Sequence, residues 1–124
     1  MGERRGNGAS TIIMLLLCMF VFYSKMIYAE THIVGDEHGW TFNIENWPAE
    51  TTFNAGDILV FNYDPSKDSV VKVTENNYNT CYVREIEFYK SGADRITLVK
   101  GGNYFISGEP GHCDAGQKIA IIAN

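Results

Sequence analysis

The sequence has few basic residues, histidines and cysteines. Its 124 residues hold 10 Lys and Arg against 15 Asp and Glu, with 3 His and 3 Cys. Residues 30–124 alone keep 7 basic and 14 acidic side chains, because Glu3, Arg4, Arg5 and Lys25 precede them, so their formal charge is −7. Nucleic acids and anionic lipids are bound through positive faces, and this deficit excludes both as partners. Glycine-rich phosphate loops and Gly-x-Ser-x-Gly elbows are also missing, which argues against nucleotide binding and serine-nucleophile catalysis.

Only one long apolar run is present, and it lies near the N-terminus. Residues 11–23 read TIIMLLLCMFVFY, after a basic RR pair and before the polar pair SK, with the small residue Ala29 beyond. This pattern is typical of a secretory signal peptide, whereas a membrane-spanning helix needs about 20 apolar residues. We predict a cleaved signal peptide at 1–29 and a secreted domain at 30–124. No second apolar tail follows, so we expect no membrane anchor after cleavage.

The use of cysteine depends on this processing. Cys18 falls inside the predicted signal peptide, so Cys81 and Cys113 remain in the secreted chain. In an oxidising compartment two thiols of a small domain most often pair. The residues alone leave an alternative open, in which both thiols are free and one of them is a metal ligand.

The remainder lacks sustained helical periodicity and is predicted to be all-β. Short runs rich in β-branched and aromatic residues alternate with Gly, Pro, Asn and Asp, which favours a two-sheet sandwich of seven or eight strands. The segment TENNYNT predicts one helical turn with Thr74 as its cap, and Lys100-Gly-Gly predicts a hairpin turn. The predicted strands are 31–34, 57–63, 69–73, 84–89, 95–99, 103–107 and 118–123.

Single residues carry little functional signal. His32 and His38 have no partner at metal-ligand spacing, which favours structural roles for both. Trp40 and Trp47 flank TFNIEN. Two such aromatic side chains either build a binding platform or close one end of a sandwich, and the second is more common.

Taken in order, several segments resemble the phytocyanins, secreted plant cupredoxins, and within them the plantacyanin or basic blue protein group. The segments are VGDEHGWTF, FNAGDILVFNY, GGNYFI and PGHCDAGQKIAI, with a Cys near the middle. The resemblance implies a cupredoxin-like Greek-key β-sandwich, a disulfide between Cys81 and Cys113, and a location in the extracellular matrix or apoplast. The positive charge usual in this group is missing here.

The resemblance also implies where a type 1 copper ion would lie. Copper-binding members use two His, one Cys and a weak axial Met or Gln, and the matching positions are Asp68, Ser107, His112 and Gln117. Ser107 offers no thiolate, so only His112 and Gln117 are suited to ligate copper. We expect no cofactor, with one copper ion as the alternative. Asp68 and His112 suit at most weak binding of a divalent ion.

These observations predict a non-enzymatic binding or signalling module that has lost type 1 copper, as in the early nodulin-like members of the family. Its binding surface is predicted around Trp40, Trp47 and His112. The partner classes are cell-wall polysaccharide, peptide or protein, and we expect a monomer. The alternative function is electron transfer as a copper-binding blue protein.

Overall fold

The computed structural model describes residues 10–18, 29–84 and 87–124. Residues 10–18 form a helix, α1. Residues 1–9 and 19–28 of the predicted signal peptide lie outside the described residues. Its last residue, Ala29, is described. Among the helices described, none has the length and apolar character needed to cross a membrane.

Seven strands form the two sheets of a β-sandwich in the described residues, which confirms the predicted fold class. The first sheet has the order β1-β2-β5, with β1 parallel to β2, and the second has the order β4-β3-β6-β7 and is antiparallel throughout. The strands are β1 (Thr31–Ile33), β2 (Ile58–Asn62), β3 (Val70–Val73), β4 (Glu87–Tyr89), β5 (Ala93–Thr97), β6 (Gly101–Ile106) and β7 (Lys118–Ala123).

Apolar side chains at alternating strand positions point inward and form one core between the two sheets. On β2, Leu59 and Phe61 are fully buried, while Ile58 and Val60, on the other face of the strand, are half-buried. The Phe61 ring lies 5.1 Å from that of Trp40 and 5.2 Å from that of Phe105 on the opposite sheet. Residues from both sheets therefore bury their apolar faces against each other, which is the main source of stability in such a small domain.

Most predicted elements are found, with shifted ends. Helix α2 (Glu75–Thr80) begins after Thr74, whose Oγ1 accepts a hydrogen bond from the backbone N–H of Asn77 at 3.2 Å. Strand β5 starts two residues before the prediction, because Asp94 is buried and accepts hydrogen bonds from the backbone and side chain of Ser91. The predicted turn glycines Gly101 and Gly102 instead begin β6. Two 3-10 turns, Asp36–His38 and Trp47–Glu50, complete the described elements.

Candidate functional site

The four predicted positions converge at one end of the second sheet. Ser107 follows β6, Gln117 precedes β7, and Asp68 lies two residues before β3. Because β6 runs antiparallel to both neighbours, the end of β6 and the starts of β3 and β7 meet at the same edge. His112 belongs to the loop that joins Ser107 to Gln117.

Asp68 is positioned by a tight turn. The carbonyl of Asp64 accepts hydrogen bonds from the N–H groups of Lys67 and Asp68 at 3.0 and 3.1 Å. The Asp64 carboxylate accepts from the hydroxyl and N–H of Ser66, and these bonds hold the pKa of Asp64 below its ordinary value. The turn is therefore closed locally, as its Asp-Pro-Ser sequence predicts.

His112 is held by backbone hydrogen bonds and by a disulfide. The Gln117 N–H donates to the His112 carbonyl at 3.0 Å, and the Ser107 N–H donates to the Gln117 carbonyl at 3.0 Å. The next residue, Cys113, is bonded to Cys81, 32 positions earlier in the chain, which confirms the predicted disulfide. The imidazole therefore projects from a loop that is fixed at both ends and in its middle.

Asp68 Oδ1 is the shared acceptor of the site. The Ser107 hydroxyl donates to it at 2.7 Å, the Ser69 N–H donates at 3.2 Å, and His112 Nδ1 lies 3.4 Å away. Ser107 is fully buried, so the carboxylate takes the place of water as the partner of its hydroxyl. Nucleophilic catalysis also needs a hydroxyl oxygen that a substrate can reach, and the burial of Ser107 removes that access.

Gln117 has one satisfied and one unsatisfied polar atom. Its side chain is fully buried, and its Nε2 donates to the Trp40 carbonyl at a long 3.4 Å. Its Oε1 is the one buried side-chain polar atom without a hydrogen-bond partner in the part of the chain that the structure describes. An unpaired buried acceptor is costly, so this oxygen is available to a donor or ligand at the site.

The predicted binding surface is revised at one tryptophan. Trp40 is only 3% exposed, and its Nε1 donates to the Ser69 carbonyl at 2.9 Å, so its ring belongs to the core. Trp47 is half-buried against Phe53. Phe42, which the sequence reasoning missed, is 44% exposed and meets the His112 ring edge-on at 4.8 Å. We define the end face as Phe42, Trp47 and His112.

The other two histidines lie beside other carboxylates, His32 beside Asp57 and His38 beside Glu37. The His32 side chain is 10% exposed and bonded to Asp57 Oδ2 at 2.9 Å, whereas that of His38 is 79% exposed. Within residues 10–18, 29–84 and 87–124, no group of three or more His, Cys, Asp and Glu side chains is arranged to hold a metal ion. Asp68 and His112 are the members of those four residue types at the candidate site.

The chain matches known proteins over most of its length. The family model of the plastocyanin-like domain matches residues 40–117. Chemocyanin from Lilium longiflorum is 42% identical over 125 residues, covering 99% of both chains, and basic blue protein from Arabidopsis thaliana is 40% identical over 123 residues, covering 98% of this chain and 95% of its own. The solved structure of cucumber basic protein, a blue copper protein, is 48% identical with a TM-score of 0.74, covering 76% of this chain and 99% of its own.

Fold and family model together define a plastocyanin-like domain with the cupredoxin fold. The chain belongs to the phytocyanin family and is similar to its basic blue proteins. The relatives are non-enzymatic proteins.

Proposed function

We propose that this chain is a secreted phytocyanin domain without type 1 copper, which acts as a non-enzymatic binding module in the extracellular matrix. The observation that supports this most directly is the set of side chains at the candidate site. Asp68, Ser107, His112 and Gln117 supply a carboxylate, a hydroxyl, an imidazole and an amide, with no sulfur among them.

A type 1 copper site does not fit these donors. Its trigonal plane is made of two imidazoles and one thiolate, and the thiolate stabilises Cu(I) as well as Cu(II). Ser107 carries a hydroxyl with a far higher pKa than a thiol, and its proton is donated to Asp68. Cys113, beside His112, is bonded to Cys81, and Cys18 lies in the predicted signal peptide.

Electron transfer by a bound copper ion is the second candidate. The similarity to cucumber basic protein, which is a blue copper protein, favours this function. Copper would have to be held here by one imidazole and oxygen donors, a hard set that suits divalent ions and disfavours Cu(I). Redox cycling is therefore poorly supported by this chain's own residues.

The end face favours a neutral or cationic partner. It offers the exposed Phe42 ring beside the His112 imidazole, and the secreted chain carries a formal charge of −7. Aromatic faces bind sugar rings and apolar side chains, while negative charge attracts basic segments. Cell-wall polysaccharide, peptide and protein remain the partner classes, and the module acts as a monomer.

Copper titration tests the first half of the proposal. We expect residues 30–124, expressed under oxidising conditions, to stay colourless when Cu(II) is added, because no thiolate is available for the charge-transfer band. Thiol titration of the unfolded, unreduced chain should find no free sulfhydryl. A blue protein, or a copper ion bound through sulfur, would contradict the proposal and support electron transfer instead.

Retention on washed plant cell-wall material tests the second half. We expect native 30–124 to be retained and Phe42→Ala to lose most of that retention, because the variant removes the exposed ring of the end face. Val99→Ala is the matched control, since Val99 is 51% exposed and lies between β5 and β6, at the end opposite Ser107. Equal retention of both variants would exclude the end face as the binding surface.

A further inference from the structure

A buried carboxylate receives the backbone nitrogen of the first residue after the predicted cleavage site. Asp57 is 1% exposed, and its Oδ1 accepts a hydrogen bond from the backbone nitrogen of Glu30 at 3.0 Å. Its Oδ2 accepts from His32 Nε2 at 2.9 Å and from the Asn54 N–H at 3.0 Å. Both carboxylate oxygens are therefore used, and one of them is used by residue 30.

Residue 30 is fixed on both sides of its peptide unit. The Glu30 carbonyl accepts a hydrogen bond from the Ile58 N–H at 2.9 Å, and the parallel pairing of β1 with β2 then begins at Thr31. The ring centroids of His32 and Phe53 are 4.7 Å apart, and this contact holds the second residue of β1 in place. The nitrogen of Glu30 consequently has a defined position against Asp57.

We infer that the mature protein begins at Glu30 and that its newly formed α-ammonium group makes an ion pair with Asp57, so that removal of the signal peptide stabilises the folded domain. The inference rests on the predicted signal peptide and is independent of the copper question. Hydrolysis of the Ala29–Glu30 peptide bond consumes one water, leaves a carboxylate on Ala29 and an amine on Glu30, and the amine binds a proton at neutral pH.

The surroundings of Asp57 favour such a cation. Burial alone would raise the pKa of Asp57, but hydrogen bonds from His32, Glu30 and Asn54 together outweigh burial and hold its pKa below the ordinary value. Its carboxylate is therefore ionised at neutral pH. Within the described residues its one basic partner is His32, which is charged only when protonated and also lies 3.9 Å from the Glu30 carboxylate. Its hydrogen-bond donors compensate the buried anion, and a positive charge on the nitrogen that already lies at hydrogen-bond distance would stabilise it further.

The geometry also selects the cleavage position. Each residue of extended chain spans about 3.3 Å, so an N-terminus one residue earlier or later places the charged nitrogen beyond hydrogen-bond distance of Asp57 Oδ1. Ala29, immediately before Glu30, is the small residue that signal peptidases prefer at the cut. The small residue Ala29 and the position of Asp57 therefore both indicate cleavage between Ala29 and Glu30.

A thermodynamic cycle tests the ion pair. Residues 30–124 are prepared with a free α-amino group and with an Nα-acetyl group, each as native chain and as Asp57→Asn. At pH 7 we expect acetylation to lower the Tm of the native chain by roughly 4–8 °C and to leave the Tm of Asp57→Asn nearly unchanged. An equal loss in both backgrounds, or no loss in the native chain, would overturn the ion pair.

Two measurements keep the test decisive if Asp57→Asn does not fold. The α-amino pKa of the folded native chain, followed by NMR, should lie above the usual value of about 7.7–8.0, since Asp57 outweighs the opposing effect of any charge on His32 and the Glu30 carboxylate adds to it. The matching stability is fully present below the unfolded pKa and is lost as the pH rises through the folded pKa. The intact mass of the full chain secreted from plant cells should correspond to a start at Glu30. An ordinary or lowered α-amino pKa, or another start site, contradicts the inference.

Discussion

A chain that carries Asp68→His and Ser107→Cys together should bind copper and turn blue. The double change supplies the missing imidazole and the missing thiolate, while His112 already lies 3.4 Å from the residue-68 side chain and Gln117 offers an unpaired buried oxygen as a weak axial ligand. The site is buried around Ser107, so a Cys side chain there is shielded from solvent. Absorption in the visible region and electron paramagnetic resonance after addition of Cu(II) measure the result.

The two single variants are the controls. Asp68→His alone lacks a thiolate, and Ser107→Cys alone keeps a carboxylate in place of one imidazole, so neither should give the full blue absorption. Peptide mapping must show that the new cysteine is free and that Cys81 and Cys113 are still paired. A correctly folded, colourless double variant would mean that Asp68 and Ser107 do not occupy the positions of the family's copper ligands.

Loss of the disulfide should be the most damaging change to stability. Replacing Cys81 and Cys113 together by Ser frees a loop whose ends are 32 positions apart, and the chain-entropy relation gives a loss of about 3–4 kcal/mol. Cys113 is only 4% exposed and packs with Val71 and Ile106, so the hydroxyl that replaces its sulfur adds a desolvation cost. Urea unfolding of both chains at one pH measures the difference.

Cys81→Ala with Cys113→Ala is the matched control, because alanine removes the crosslink without burying a hydroxyl. We expect it to be less destabilised than the Ser pair, with the crosslink still accounting for most of the loss. The loop that carries His112 should also exchange its amide hydrogens faster in both variants. Unfolding midpoints equal to that of the native chain would mean that the crosslink contributes little.

The fold could be predicted because its signals are local. Alternation in ILVFN fixes which residues of β2 are buried, Thr74 caps α2 through its own hydroxyl, and turn residues separate the strands. The ends of β5 were shifted because Asp94 belongs inside the strand, held by Ser91 across the turn. That contact depends on a buried carboxylate, which no pattern of apolar residues reveals.

The composition of the site could be predicted, but its contacts could not. The resemblance to the phytocyanins identified the four positions, and the antiparallel strands bring them to one end of the second sheet. The positions are Asp68, Ser107, His112 and Gln117. The hydrogen bond from Ser107 to Asp68 spans 39 positions and depends on the packing of two loops. Trp40 is buried because its indole finds a carbonyl acceptor in the core, while the phenyl ring of Phe42, to which the sequence assigned no role, is exposed.

The bond between the buried hydroxyl of Ser107 and the carboxylate of Asp68 also limits how this lineage can change. Asp68→His alone replaces the charged acceptor of a buried hydroxyl by a neutral one, and Ser107→Cys alone gives the carboxylate a weaker donor, so each first step towards a metal site is expected to cost stability before any metal is gained. The two residues therefore have to change together if copper binding is to be gained. Descendants of this protein should keep both residues or exchange both, and intermediates that carry one change should be short-lived.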